Sequence, residues 1–216
     1  LGAFFADLDR VEIDYVVVVT GDHGGLDIPE RIRQEGGLAA ARVDPALDAR
    51  AMGEALAARL GLSGRVLIGD GAFGDMYVGR DLPEATRRRV RDEAVAAYRA
   101  HPQVAAVFTR DEIAAAPAPS GPPDAWSLLE RARAAFAHER SGDFLVMLRP
   151  LVTPIHDTSR GYVATHGSPW DYDRRVPILF WRRGLTPYEQ PLGVETVDIL
   201  PTLAALIGLE IPAGTI

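Results

Sequence analysis

The chain of 216 residues contains no cysteine. Disulfides and thiolate metal sites are therefore excluded, and any bound metal must be held by His, Asp, Glu or hydroxyl groups. The lack of cysteine fits a reducing and an oxidising compartment equally well, so it does not locate the protein. No run approaches the ~18 apolar residues of a membrane span. Positive charge is in deficit: 23 Lys and Arg stand against 30 Asp and Glu, a formal net charge of -7. That balance argues against a nucleic-acid-binding surface. No internal repeat and no signal peptide is legible. The remaining composition, 47% hydrophobic and 25% charged, is that of an ordinary globular protein with a sizeable core. Leu1, Phe4, Phe5 and Leu8 fall on one helical face. The chain thus opens inside a pattern, and is expected to be a piece of a longer protein.

The stretch that organises the chain is YVVVVTGDHGG, residues 15 to 25. A short, β-branched apolar run bounded by glycine reads as a central strand buried on both faces. Asp22 and His23 follow it, and neither belongs in a core. In open α/β sheets, ligands collect past the carboxyl ends of strands. An Asp-His pair placed there can offer a divalent metal one oxygen and one nitrogen. The same residues also fit a plainer reading, in which Asp22 caps a turn and His23 is a satisfied polar residue.

The rest of the chain alternates strands and helices. Asp44-Pro45 predicts a helix start, with Met52, Leu56 and Leu60 on one face and Gly61 ending it. Arg65–Ile68 and Met76–Val78 read as a hairpin. A helix is expected from about Pro83 to Ala100, and a strand over Val104–Thr109. Its Arg87, Arg88, Arg89 and Arg91 read as a solvated face rather than a phosphate patch. Ala114–Pro123 has linker composition. Asp124 is expected to cap the following helix, Phe144–Leu148 to form a strand, and Val176–Trp181 another. A final helix runs from Asp198 to Gly208. The alternation predicts an α/β fold with a largely parallel central sheet flanked by helices. A small α+β unit, at about residues 40–115, is expected as an insertion.

The loop from Pro150 to Arg175 is long and aperiodic, as functional loops often are. It holds His156, Asp157 and His166. His166 sits among small residues in ATHGSPWDYDRRVPILFW, residues 164–181. His23 and His166 both border predicted strands, and two His with one Asp from separate strand ends make a share of a zinc centre. His156 is a substrate-binding candidate, with a solvent-exposed loop position as the favoured alternative. His101 and His138, at helix ends, read as structural.

Three segments resemble the alkaline phosphatase superfamily, in the branch of monomeric bimetal phosphatases related to the nucleotide pyrophosphatase/phosphodiesterases. They are VVVVTGDHGG at 16–25, the 164–181 segment, and ETVDILPTLAALIGLEIP at 195–212; RSGDFLVMLRP at 140–150 also fits. The resemblance covers nearly the whole chain and implies the C-terminal portion of such a catalytic domain, truncated at its N-terminus.

What the resemblance implies is zinc-dependent hydrolysis of phosphate monoesters through a phosphorylated Thr or Ser, at a site of two zinc ions. Asp22 and His23 would bind one zinc and His166 the other. The Asp-x-x-x-His pair and the nucleophile of the family are missing from these residues and are expected upstream. No catalytic residue is therefore assigned in the chain, which alone is expected to be inactive. A phosphodiesterase or nucleotide pyrophosphatase on the same scaffold, a sulfatase, and a non-catalytic fragment or pseudoenzyme are the rival readings. The expected partner is a small phosphate ester, and the expected location is periplasmic or secreted. Neither a membrane span nor nucleic-acid binding beyond a nucleotide substrate is expected.

Overall fold

A computed structural model describes residues 1–211. In chain order the elements are α1 (Gly2–Arg10), β1 (Val16–Thr20), α2 (Pro29–Gln34), β2 (Ala41–Arg42), α3 (Ala49–Leu60), β3 (Leu67–Ile68), β4 (Gly74–Val78), α4 (Glu84–Ala100), β5 (Val104–Thr109), α5 (Arg110–Ala115), α6 (Leu128–Ala134), β6 (Phe144–Leu148), β7 (Val152–Thr153), α7 (Asp171–Arg174), β8 (Ile178–Arg182) and α8 (Ile199–Ile207). They form two compact units. The larger holds His23–Gly121 and Ala125–Arg175; the smaller holds Leu1–Asp22, Pro122–Asp124 and the chain from Val176 on.

The larger unit is built on a four-stranded sheet of order β3-β4-β6-β5. β6 is its middle, antiparallel to both β4 and β5. Its side chains alternate strictly. Phe144, Val146 and Leu148 face one apolar cluster, with Leu56 of α3 and Val90, Ala94 and Tyr98 of α4. Leu145 and Met147 face a second, with Ile113 of α5 and Ala132 of α6. Helices therefore cover both faces, which is why β6 is apolar at all five positions. Tyr98 is fully buried, and its phenol donates to the Leu47 carbonyl at 2.9 Å. A shorter parallel pairing joins β2 to β7.

The α/β layering is as expected, but the pairing within these residues is not largely parallel. Only β2 with β7 is parallel among the described strands; the other pairings are antiparallel. The physical reason lies in β6. The β4–α4–β5 segment is a crossover between strands of the same direction, as alternation implies. β6 enters the gap between them in the opposite direction, giving a split crossover. The stretch 40–115 thus shares its sheet and core with β6.

Helix starts moved where a second cap was available. Asp44 accepts the Ala46 N–H at 2.9 Å and caps only a 3₁₀ turn, Pro45–Leu47; Asp48, which accepts the Arg50 N–H at 2.9 Å, caps α3. The end is as expected: Gly61 takes φ 66°, a left-handed conformation suited to glycine. Asp124 lies in a 3₁₀ turn, and Ser127 caps α6 in a reciprocal box with Glu130. Thr109 and Glu112 form a similar box that starts α5, a helix the composition of 114–123 concealed. His101 caps the end of α4 with Nε2 3.4 Å from Asp44, a structural role. Arg88 pairs with Glu84, whereas Arg87 reaches Asp143 as well as Glu84 and is only partly solvated.

The smaller unit pairs β1 with β8, antiparallel, from Val16 opposite Arg182 to Thr20 opposite Ile178. Phe5, Tyr15 and Trp181 gather their rings, with centroids 5.6–6.2 Å apart. The sequence expectation of a strand buried on both faces does not hold for β1. Val16 to Val18 are half-buried, while Val19 and Thr20 are exposed. Neighbours on both faces require further layers, and among the described residues β1 has one strand partner. α8 ends at Gly208, as expected. Pro212, the last residue of the third resembling segment, lies outside the described residues.

Candidate metal centre

His23 stands three residues beyond β1, and His166 five residues after the Thr158–Gly161 turn. Both are exposed. Although 143 positions apart by their numbers (166 − 23), their rings stack with centroids 3.4 Å apart and planes 9° from parallel.

His23 Nδ1 lies 2.6 Å from the Gly24 carbonyl oxygen. A carbonyl can only accept, so Nδ1 carries the proton. Metal-binding histidines are commonly held in this way. The donor set thus suits a borderline-soft divalent ion. Among the described residues, no group of three His, Asp or Glu is gathered to hold one ion.

The remaining candidates fall in different places. Asp22 immediately precedes His23 in the chain, is exposed, and closes the first segment of the smaller unit. His156 is an exposed loop residue. Its neighbour Asp157 accepts the Ser159 N–H at 2.9 Å, and that bond holds the carboxyl below its usual range. The Asp157 turn shapes the loop rather than joining the histidine pair.

The residues that brace the pair carried no role in the sequence reading. Asp173 is buried in a mostly exposed loop. Its Oδ2 accepts the Ser168 N–H at 2.8 Å, and its carbonyl accepts the Gly24 N–H at 2.7 Å. A Cβ at position 24 would collide with the Tyr172 carbonyl, so glycine is required for close approach. Trp170 Nε1 donates to the Leu148 carbonyl at 3.0 Å. Tyr172 accepts the Leu151 N–H at 3.3 Å, and burial pushes its phenol pKa up. Together these bonds tie α7 to the end of β6. The one available signal was the second Asp of Asp-Tyr-Asp, an acid between an aromatic residue and the strand.

The fold is that of an alkaline phosphatase. The crystal structure of wild-type alkaline phosphatase PafA matches with TM-score 0.79 at 22% identity, covering 99% of this chain and 39% of that one. A multiply substituted PafA variant matches with TM-score 0.78 at 21% identity, over 100% of this chain and 39% of the other.

Sequence similarity is stronger. The chain is 56% identical to the alkaline phosphatase PhoK of a Sphingomonas species, over its whole length and 39% of that protein. It is 46% identical to the alkaline phosphatase PhoD of Zymomonas mobilis, over its whole length and 38% of that protein. The chain is similar to these alkaline phosphatases over its whole length, and it spans about two-fifths of theirs. No family model matches it.

Proposed function

We infer that the full-length protein carrying this chain is a phosphoric ester hydrolase that acts on small phosphate monoesters. The observation that carries the reading is the parallel His23–His166 pair, 3.4 Å apart. Its identity to proteins named alkaline phosphatases supports the reaction class.

In this reading two zinc ions are the cofactor. Asp22 and His23 contribute to holding one, and His166 to holding the other. Bound zinc supplies Lewis-acid stabilisation of the charge that develops on the attacking and leaving oxygens of phosphoryl transfer. This chain's residues bind and orient. The Gly24 carbonyl sets the His23 tautomer. The Thr or Ser that receives the phosphoryl group, and the other ligands, belong to segments outside these residues. This chain by itself is therefore inactive. Export to the periplasm or the exterior accompanies the reading. No described helix is long and apolar enough to cross a membrane.

The test is turnover of an aryl phosphate monoester and the matching diester by zinc-loaded full-length protein. Monoester hydrolysis is expected to dominate. Hydrolysis of neither ends the enzyme reading, and a strong preference for the diester replaces it with a phosphodiesterase. His166→Ala is expected to reduce zinc content and cut turnover by roughly 100-fold or more, as loss of a direct ligand should exceed loss of a supporting one. Unchanged zinc and rate would remove His166 from the site.

A further inference from the structure

The two histidines arrive from distant parts of the chain and sit on exposed loops, yet their rings are parallel to within 9°. Stacking alone is weak for exposed rings, so something must hold both loops in register. α7 has the anchors to do it. Behind it, Trp170 and Tyr172 bond to the backbone at Leu148 and Leu151, where β6 leaves the core. The Pro169 carbonyl also accepts from Arg131 at 2.6 Å.

Within α7, one residue touches both loops. Asp173 reaches Ser168, two residues after His166, through its carboxylate. It reaches Gly24, one residue after His23, through its carbonyl. Its other carboxylate oxygen, Oδ1, is buried without a protein partner, and so is Thr153 Oγ1. Both residues line one small cavity beside His166, with room for about a single water, 10 Å³. A carboxylate buried in an exposed loop is costly, and it persists where it over-determines a geometry.

We propose that Asp173 is the positioning residue that sets His23 against His166. The proposal rests on the reading of that pair as metal-ligating, and adds what fixes their spacing. Asp173 touches neither substrate nor ion. It acts by accepting the Ser168 N–H while its own backbone holds Gly24.

The test uses the full-length protein. Asp173→Ala removes the acceptor for Ser168, whereas Asp173→Asn keeps an oxygen in the same place. Zinc affinity is read by competition with a chelator. Ring pairing is read independently, from the ¹⁵N-histidine spectrum of the metal-stripped protein. Asp173→Ala is expected to weaken zinc binding by ~10–100-fold and to move the His23 and His166 signals towards those of separated rings. Asp173→Asn is expected to recover most of both. Full affinity with an unchanged spectrum in Asp173→Ala overturns the proposal. Equal loss in Ala and Asn also overturns it, because the acceptor geometry would then not be what matters.

Should Asp173→Ala fail to fold, Gly24→Ala reaches the same clasp from the other loop. Its methyl group collides with the Tyr172 carbonyl, and the paired spectrum should be lost; an intact one overturns the proposal. If the wild-type protein binds no zinc, the metal reading fails, and the histidine spectrum alone still judges the clasp.

Discussion

The two units treat their apolar residues in opposite ways. In the larger, Leu47, Leu67, Met76, Val90 and Tyr98 are fully buried between a sheet and its helices. In the smaller, Ala204 is the one buried residue among those described, although the unit contains β1, with four consecutive valines. Leu179 is 59% exposed and Trp181 47%. Local pattern made both sets of strands. Among the described residues, only the larger unit has layers on both faces of its sheet, so only there does burial contribute its full ~25 cal/mol per Å². Strand formation and burial are thus separable consequences of one hydrophobic pattern.

Equal truncations in the two units should therefore cost different amounts. Phe144→Ala should destabilise the protein most, by about 3–5 kcal/mol, since it opens a cavity under Tyr98, whose ring lies 6.0 Å away. Urea unfolding checks this, and a loss below that of a surface change would show the larger core to be slack.

Tyr98→Phe should cost less, about 1–3 kcal/mol, by leaving the Leu47 carbonyl without its buried donor. It also carries a pH signature. Burial pushes the Tyr98 phenol well above its ordinary value. A neutral form favoured by folding contributes stability that is present below the unfolded pKa near 10 and declines as pH rises past it. Wild type should lose stability above about pH 10 more steeply than Tyr98→Phe; parallel alkaline unfolding curves would contradict the burial argument.

The smallest effect is expected in the smaller unit. Leu179→Ala should change stability by less than ~1 kcal/mol, because the side chain is mostly in solvent already. Hydrogen exchange should order the strands likewise, with β1 and β8 exchanging faster than β5 and β6. A large cost at Leu179, or protection of β1 equal to that of β6, would erase the contrast between the units.

Much of this was legible before any coordinates. β5 and β6 fall at their expected residues, and α4 and α8 within a residue of theirs, because each has a clear period and a clear stop. The longer loops hid short elements. α2 and β2 lie within 26–41 and its edge, and β7 and α7 within 150–175. Elements of two to six residues carry too few positions to show a period. At the candidate centre, Asp22, His23 and His166 stood out because charged or imidazole groups beside glycine at a strand end have little structural reason to be there. Asp173 did not, since an Asp in a polar loop is unremarkable until its burial is known.

Composition and local pattern alone determined the kinds of element, the absence of thiol chemistry, and the residue types available to a metal. These depend on nearest neighbours along the chain, where period, caps and side-chain chemistry act directly. The tertiary structure alone decided that β6 runs antiparallel between β4 and β5. It also decided that His23 and His166 stack across 143 positions with Asp173 between their loops. Such pairings are set by which distant surfaces can be buried and which backbone donors must be satisfied, and neither is a property of a sequence window.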